Sequence, residues 1–376
     1  MLKKTIYYWS PFLTNIATSK AVINSAYAIN RYNNNFEAII LNAAGEFDSK
    51  KKELTKKNVS LISLWSFNYI RFLPKFGKIS SRLSFSIIFI LSFLPLKKVI
   101  KNNKPEFLII HLITLLPLIL YNLFSFKTKC ILRISGYPKM SIIRIILWRF
   151  LLKKVYAVTC PTKSTYNYLK YLNICDENKL QVLYDPVIIV SELNFKKKEN
   201  NNINFENFAI SIGRLTEQKN FEFLINSYNK DKDLKLIIVG EGENFKKLQD
   251  KIKFYDLSSH IFIESYKDNI FSYLKKSKCL LISSLWEDPG FVLIEAAFCR
   301  TFIISSNFKI CSNEIILDKN AGLVYQANNK NDFTNKYDLF KNMNENDRNK
   351  YRKNALIMSK DFTIFRHAKQ LDKILI

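Results

Sequence analysis

Two carboxylates, Glu287 and Glu295, stand eight positions apart in the stretch 283–297, SSLWEDPGFVLIEAA. A carboxylate accepts hydrogen bonds in pairs from vicinal hydroxyls, such as those of a ribose or a hexose. Between the two, Asp288-Pro289-Gly290 reverses the chain and leads into the apolar run Phe291-Val292-Leu293-Ile294. Asp288 suits a helix N-cap and Pro289 the first helical position, so the spacing predicts a helix starting here. The N–H groups of a first helical turn lack intrahelical acceptors and lie at the positive end of the helix dipole, which suits a phosphate. Glu287 then falls in the loop before the helix and Glu295 nearly two turns inside it. Such a layout points to a sugar nucleotide, with phosphate over the helix start and a sugar at each carboxylate. The plainer alternative is that Glu287 and Asp288 only complement the dipole and Glu295 is solvated surface. The stretch alone leaves both open.

Two cations precede it. Gly213-Arg214-Leu215 follows an apolar run, and Gln218-Lys219-Asn220 opens the next helical pattern. Arg214 can fork onto phosphate oxygens and Lys219 can add a point charge, which is what a diphosphate needs where no metal is present. In a lysine-rich chain they are equally readable as surface cations. Val239-Gly240-Glu241-Gly242 permits a tight turn close to a ligand, but it is not a dinucleotide fingerprint.

The elements that must position these residues alternate from end to end. Apolar runs at 5–9, 37–42, 59–64, 107–111, 130–135, 155–160 and 181–184 read as strands, with helical patterns at 18–32, 79–101, 115–124, 142–153 and 163–172 between them. A second series has strands at 208–212, 234–239, 261–264, 279–283, 301–305 and 322–325, with helices at 220–229, 244–254, 269–276 and 291–298. Polar helices follow from 331 on. Alternation of this kind implies right-handed βαβ units and parallel sheets. The expected fold class is α/β, two doubly wound Rossmann-like domains facing across a cleft. The expected boundaries are an N-terminal domain over 1–190 and a Lys/Asn/Glu-rich linker over 191–206. A C-terminal domain over 207–360 and a final helix over 361–376, able to return to the first domain, complete them.

Composition narrows the function classes. The chain has 376 residues, 48% hydrophobic and 24% charged, which is the make-up of a folded protein. Six scattered cysteines without a CxxC pair suggest reduced thiols in a cytosolic compartment, and three histidines offer little for a metal. The formal charge is +26; residues 1–190 hold 28 Lys and Arg against 8 Asp and Glu. The first half therefore suits an anionic partner: a membrane, a nucleic acid or an acidic substrate. The opening residues are too short in apolar run for a secretory signal. The uncharged run 83–96 is too short to span a bilayer, and 107–126, which is long enough, contains His111 and Pro117 and reads as a buried strand followed by a helix.

The ordered runs GRLTEQKNFEFLINSY (213–228), LIIVGEG (236–242) and SSLWEDPGFVLIEAA (283–297) resemble the C-terminal domain of retaining glycosyltransferases of family 4, with the GT-B fold. In the first half KPEFLIIHLITLLPLIL (104–120), ILRISGYPKM (131–140), CPT (160–162) and VLYDPV (182–187) resemble that family's capsule, O-antigen and lipopolysaccharide branch. The resemblance implies a metal-independent hexosyltransferase that uses a nucleotide sugar, UDP- or GDP-linked, as substrate and needs no cofactor. It implies that Arg214 and Lys219 hold the donor diphosphate and that Glu295 holds the ribose hydroxyls. By the same likeness Glu287 contacts the transferred sugar, Pro289, Gly290, Phe291 and Val292 line phosphate and sugar with their backbone, and Glu241 lies near the nucleoside. Relatives carry a glycine pair in the first βα turn; here Asn15 and Thr18 stand in a turn without glycine. Relatives also place a histidine where this chain has Ser135-Gly136, and the domain's only histidine is His111. These five positions are the acceptor-side candidates. The implied partners are a glycan or lipid-linked glycan and the anionic inner face of the cytoplasmic membrane, approached by Lys75, Lys78, Arg82, Lys97, Lys98 and Lys101 around 83–96. Two other classes stay in view. A sugar-nucleotide epimerase would need acid/base residues flanking the sugar, and the scarcity of histidines and the Glu287/Glu295 pair count against it; a nucleic-acid binder would need a basic-aromatic module, and none is recognised.

Overall fold

The computed structural model describes residues 3–14, 17–74, 77–199, 203–228 and 234–376. It divides into two compact units, 1–186 with 364–376, and 187–363.

The first unit runs β1 (Lys4–Trp9), α1 (Ala17–Tyr32), β2 (Phe36–Asn42), α2 (Lys51–Lys56), β3 (Ser60–Ser63), α3 (Lys78–Asn103), β4 (Phe107–Ile110), α4 (Leu115–Leu123), β5 (Lys129–Arg133), α5 (Ile142–Leu151), β6 (Ala157–Cys160), α6 (Lys163–Tyr171) and β7 (Leu180–Val182). Its seven strands are all parallel, in the order β3-β2-β1-β4-β5-β6-β7. Both faces of the sheet are covered. Ile6, Tyr8, Ile109 and Ile131 belong to the core on one side, and Tyr7, Trp9, Leu108 and Leu132 to the core on the other. This period-2 split of continuous apolar runs is what a doubly covered parallel sheet requires. The uncharged run 107–126 is accordingly β4 and α4, buried in this unit, and not a span.

The second unit runs α7 (Val190–Lys196), β8 (Phe208–Ile212), α8 (Phe221–Ser227), β9 (Lys235–Val239), α9 (Phe245–Phe254), β10 (Ile261–Glu264), α10 (Phe271–Lys276), β11 (Cys279–Ile282), β12 (Trp286–Glu287), α11 (Phe291–Phe298), β13 (Phe302–Ser306), β14 (Lys309–Ile310), β15 (Leu323–Tyr325), α12 (Lys330–Asn342) and α13 (Glu345–Ser359). Its six-stranded parallel sheet has the order β10-β9-β8-β11-β13-β15, the same winding as the first. The segment expected to be a linker is partly a helix. In α7 Leu193 is buried, Lys197 beyond it donates to the Phe298 carbonyl at 2.8 Å, and Lys196 accepts at its carbonyl from Asn269 at 2.9 Å.

The last helix, α14 (Ile364–Ile374), lies on α1 in the first unit through Ala368, Leu371 and Ile374. His367 anchors it. Its Nδ1 donates to the Tyr184 carbonyl at 2.6 Å, so Nε2 is left to accept from the Ser25 hydroxyl at 2.7 Å, and Ser25 in turn accepts from Tyr8 at 2.9 Å. Burial holds the His367 imidazole down at about 3; the Tyr184 carbonyl opposes that shift and the Arg133 cation adds to it. An unfolded histidine titrates near 6.5. Above that pH the contribution of His367 to stability is whole. Below it the unfolded chain takes up a proton that the folded chain refuses, so stability falls as the pH approaches about 3. The loss is on the order of 2 kcal/mol by about pH 5. Urea unfolding at pH 7 and pH 5 should show this drop, and His367→Gln, which keeps a donor and an acceptor, should shrink it.

Candidate active site

In a doubly wound sheet, ligands bind beyond the carboxyl ends of the strands where the order reverses. In the second unit that point lies between β8 and β11. A pocket sits there, lined among others by Ser211, Lys219, Ser284, Glu287, Gly290 and Val292. The loop after β8 brings Lys219, and the loop after β11 brings Glu287. The two side chains form an ion pair, both largely buried, and the Ser284 hydroxyl donates to the same Glu287 oxygen at 2.7 Å. Lys219 is fixed from behind, its carbonyl accepting from the Ser283 hydroxyl at 2.8 Å. Gln218 ties the loops together twice, through Nε2 to the Trp286 carbonyl at 2.9 Å and through its own carbonyl to the Leu285 N–H at 2.9 Å.

The turn into α11 differs from the expected one. The helix begins at Phe291, and its cap is Gly290 in the left-handed region (φ +88°), with no side-chain capping bond. Asp288 and Pro289 form the turn before it. A side chain at position 290 would be strained, so glycine here is a conformational requirement. Glu287 is held in a two-residue strand, β12 paired with β14, and not in an irregular loop. The buried Cys311 thiol supports the turn from below, donating to the Glu287 carbonyl at 3.6 Å and the Pro289 carbonyl at 3.7 Å. Burial pushes that thiol well up, and the charges of Asp288, Glu314 and Glu287 add to the effect, so it stays protonated. Glu295 lies one turn into α11 and is buried.

Arg214 stands exposed beside the β8 end, and its guanidinium makes no ion pair among the described residues. Glu241 is exposed and accepts from the Tyr266 N–H at 3.3 Å, joining the β9 and β10 loops. The two glycine loops touch backbone to backbone. A Cβ on Gly240 would stand 1.9 Å from the Gly213 carbonyl oxygen, and one on Gly242 would stand 2.5 Å from that of Leu215. The structure thus gathers Lys219, Glu287, Gly290 and Val292 around one pocket. Arg214, Glu241, Pro289, Phe291 and Glu295 lie on the loops and helix that frame it. Ser284 and Gln218 escaped the sequence reading, although Ser284 lies in the same stretch three positions before Glu287.

In the first unit the same reversal point lies between β1 and β4. His111 follows β4 directly, donates its N–H to the Trp9 carbonyl at 2.9 Å and places Nδ1 3.3 Å from the Ser135 hydroxyl. Burial lowers the His111 imidazole well below its usual value, and the nearby Arg133 and His367 add to this. It is therefore neutral. Gly136 follows Ser135 at φ +95°, with open space where a Cβ would be. Thr18 lies in the first turn of α1, and Asn15 lies outside the described residues. Beneath His111, Arg133 pairs with Asp185 at 2.6 Å and donates to the Leu183 carbonyl, a buried bond set unforeseen from sequence.

Comparison with known proteins bears on the second unit first. Residues 194–357 match the family of glycosyl transferases group 1. An uncharacterized glycosyltransferase of Methanocaldococcus jannaschii is 32% identical over 250 residues, covering 58% of this chain and 60% of its own length. The chain thus spans well under two thirds of that relative. The Campylobacter jejuni GalNAc-alpha-(1->4)-GalNAc-alpha-(1->3)-diNAcBac-PP-undecaprenol alpha-1,4-N-acetyl-D-galactosaminyltransferase is 26% identical over 314 residues, 81% of each chain. Among solved structures, Anabaena HepE in complex with UDP and glucose superposes with a TM-score of 0.73 at 13% identity, covering 99% of both chains. The two Rossmann-like units are those of the GT-B fold.

Gly240→Ala should break the loop contact, because its methyl group has no room against backbone. A cost of about 2 kcal/mol or more in urea unfolding of the second unit is expected.

Proposed function

We propose that this protein is a retaining, metal-independent glycosyltransferase of surface polysaccharide biosynthesis. It moves a hexose-type sugar from a nucleotide sugar to a glycan or lipid-linked glycan. The observation that carries the reading is the pocket at the β8/β11 reversal, where a lysine, a carboxylate and a helix start converge in the region that matches glycosyl transferases group 1.

Lys219, Arg214 and the first-turn N–H groups of α11 receive the diphosphate, and they stabilise the negative charge that grows on it as the bond to the sugar breaks. Glu287, held by Ser284, faces the sugar hydroxyls and the positive charge that develops at the anomeric carbon. Glu295 takes the ribose hydroxyls, and Glu241 lies at the nucleoside end. The anomeric C–O bond breaks with its electron pair going to the diphosphate. The acceptor hydroxyl then bonds to the same face of the anomeric carbon, and its proton passes to the leaving phosphate oxygen. No covalent enzyme intermediate is needed, so Glu287 orients the sugar and stabilises charge.

The donor is UDP- or GDP-linked; HepE, which shares the fold, has been solved with UDP. The acceptor side belongs to His111, Ser135, Gly136, Thr18 and Asn15. The Campylobacter relative, whose name specifies a PP-undecaprenol acceptor, supports a lipid-linked one. The basic first half supports an enzyme peripheral on the cytoplasmic face of the membrane. A thermal-shift series with UDP-, GDP- and ADP-sugars should single out one base, since a specific ligand raises stability by mass action. Lys219→Met and Glu287→Gln should each lower turnover by about 100-fold or more. A purified Glu295→Gln that binds donor and turns over like the native chain would sink this reading.

A further inference from the structure

The surface of the first unit carries two groups of exposed apolar side chains. On α3, Ser84 and Ser92 are fully buried, while Ile79, Leu83, Ile90 and Leu94, which follow one another along a single line of the helix, are 58% to 83% exposed. On α5 the pattern recurs: Trp148 and Leu151 face inward, while Ile142, Ile143, Ile146 and Phe150 are 59% to 79% exposed. Ile88, Leu96 and Ile100 of α3 still face the core; single exposed apolar residues need no explanation, but a group of four on each of two neighbouring helices does. The two helices are joined into one layer through α4, which contacts both. Lys97 lies 3.6 Å from the centre of the Phe124 ring at the end of α4, and Asn122 of α4 donates to the Leu151 carbonyl at 3.0 Å.

Charge identifies what covers this face. Residues 54–175 contain twenty Lys and Arg and a single acid, Glu106, which pairs with Lys4 at 3.4 Å. Arg82, Lys98 and Lys101 on α3, Lys139 before α5, and Lys153 and Lys154 after it are all exposed. A second copy of this chain would bring the same cations against these and would be repelled. A surface of anionic lipid headgroups above hydrocarbon matches both properties together. By length and hydropathy α3 could cross a bilayer. The sheet forbids it: β3 before the helix and β4 after it belong to one sheet through β2 and β1, so the chain returns to the side it left.

We infer that α3 and α5 form a monotopic membrane-insertion face, with Ile142, Ile143, Ile146 and Phe150 of α5 entering the acyl boundary of an anionic bilayer and the flanking cations resting on its headgroups. This sharpens the membrane association proposed above, and its test is independent of sugar transfer. The full chain is floated with vesicles of mixed phosphatidylglycerol and phosphatidylcholine, and with phosphatidylcholine alone. The native protein should float with the anionic vesicles. The double variant Ile143→Glu/Ile146→Glu should partition about tenfold or more less well, with circular dichroism, thermal midpoint and donor binding unchanged. Ile90→Glu should show the same direction of change from α3. Failure of the native chain to float would overturn the inference, as would equal flotation of the double variant. So would sedimentation analysis showing a dimer that the same two glutamates dissolve.

Discussion

An ion pair out of water is expensive unless its geometry and its remaining hydrogen bonds repay the lost hydration. The pair between Lys219 and Glu287 meets that condition because its partners arrive on separate loops, each fixed independently. Ser283 and Ser284 hold the lysine carbonyl and the carboxylate. Gln218 bonds the two loops through both its amide and its backbone, and Cys311 supports the turn beneath. The pair therefore works as a clasp across the reversal point of the sheet. It sets a cation, a carboxylate and the start of α11 at one place before any ligand arrives. Preorganisation of this sort is what an electrostatic site needs, since no reorganisation is then left for the moment of reaction.

Both units wind their strands in the same order, yet they use the reversal point differently. In the second unit the edge carries charged and small residues and keeps a pocket. In the first, His111, Arg133, Asp185 and His367 line a pocket with buried polar groups, and α14 is built into its wall through Ser25 and Tyr184. Two histidines are neutral there because burial and the arginine both disfavour a second positive charge. The winding determines where an edge exists; the side chains beyond its strands determine what that edge can hold.

The outer layer of the first unit follows a different logic. A water-facing helix buries its branched residues and exposes its hydroxyls, as the hydrophobic effect dictates. In α3, Ser84 and Ser92 share the inward face with Ile88, Leu96 and Ile100, while a second row of branched residues, Ile79, Leu83, Ile90 and Leu94, is left outside. Read as a linear sequence, the uncharged stretch 83–96 of α3 shows no distinct face; only the packed structure reveals which side each residue occupies.

The sequence by itself determined the alternation of strands and helices, and with it two parallel doubly wound sheets, because apolar runs of strand length between helical patterns admit little else. It also singled out the ordered set Arg214, Lys219, Glu287 and Glu295 by residue type and spacing, while leaving open whether they form a site or a charged surface. Tertiary structure alone decided that Lys219 and Glu287 touch, since sixty-eight positions separate them and no local rule connects their loops. It decided that the cap of α11 is a left-handed Gly290, where Asp288 and Pro289 had looked like cap and first turn; the helix bounds 291–298 were legible in the sequence. Pairing of β12 with β14 and the packing of Cys311 outweigh local capping preference there. It decided, too, that part of the expected linker is a helix and that α14 belongs to the first unit. Those outcomes depend on buried contacts between residues remote in the chain, which periodicity and propensity do not encode.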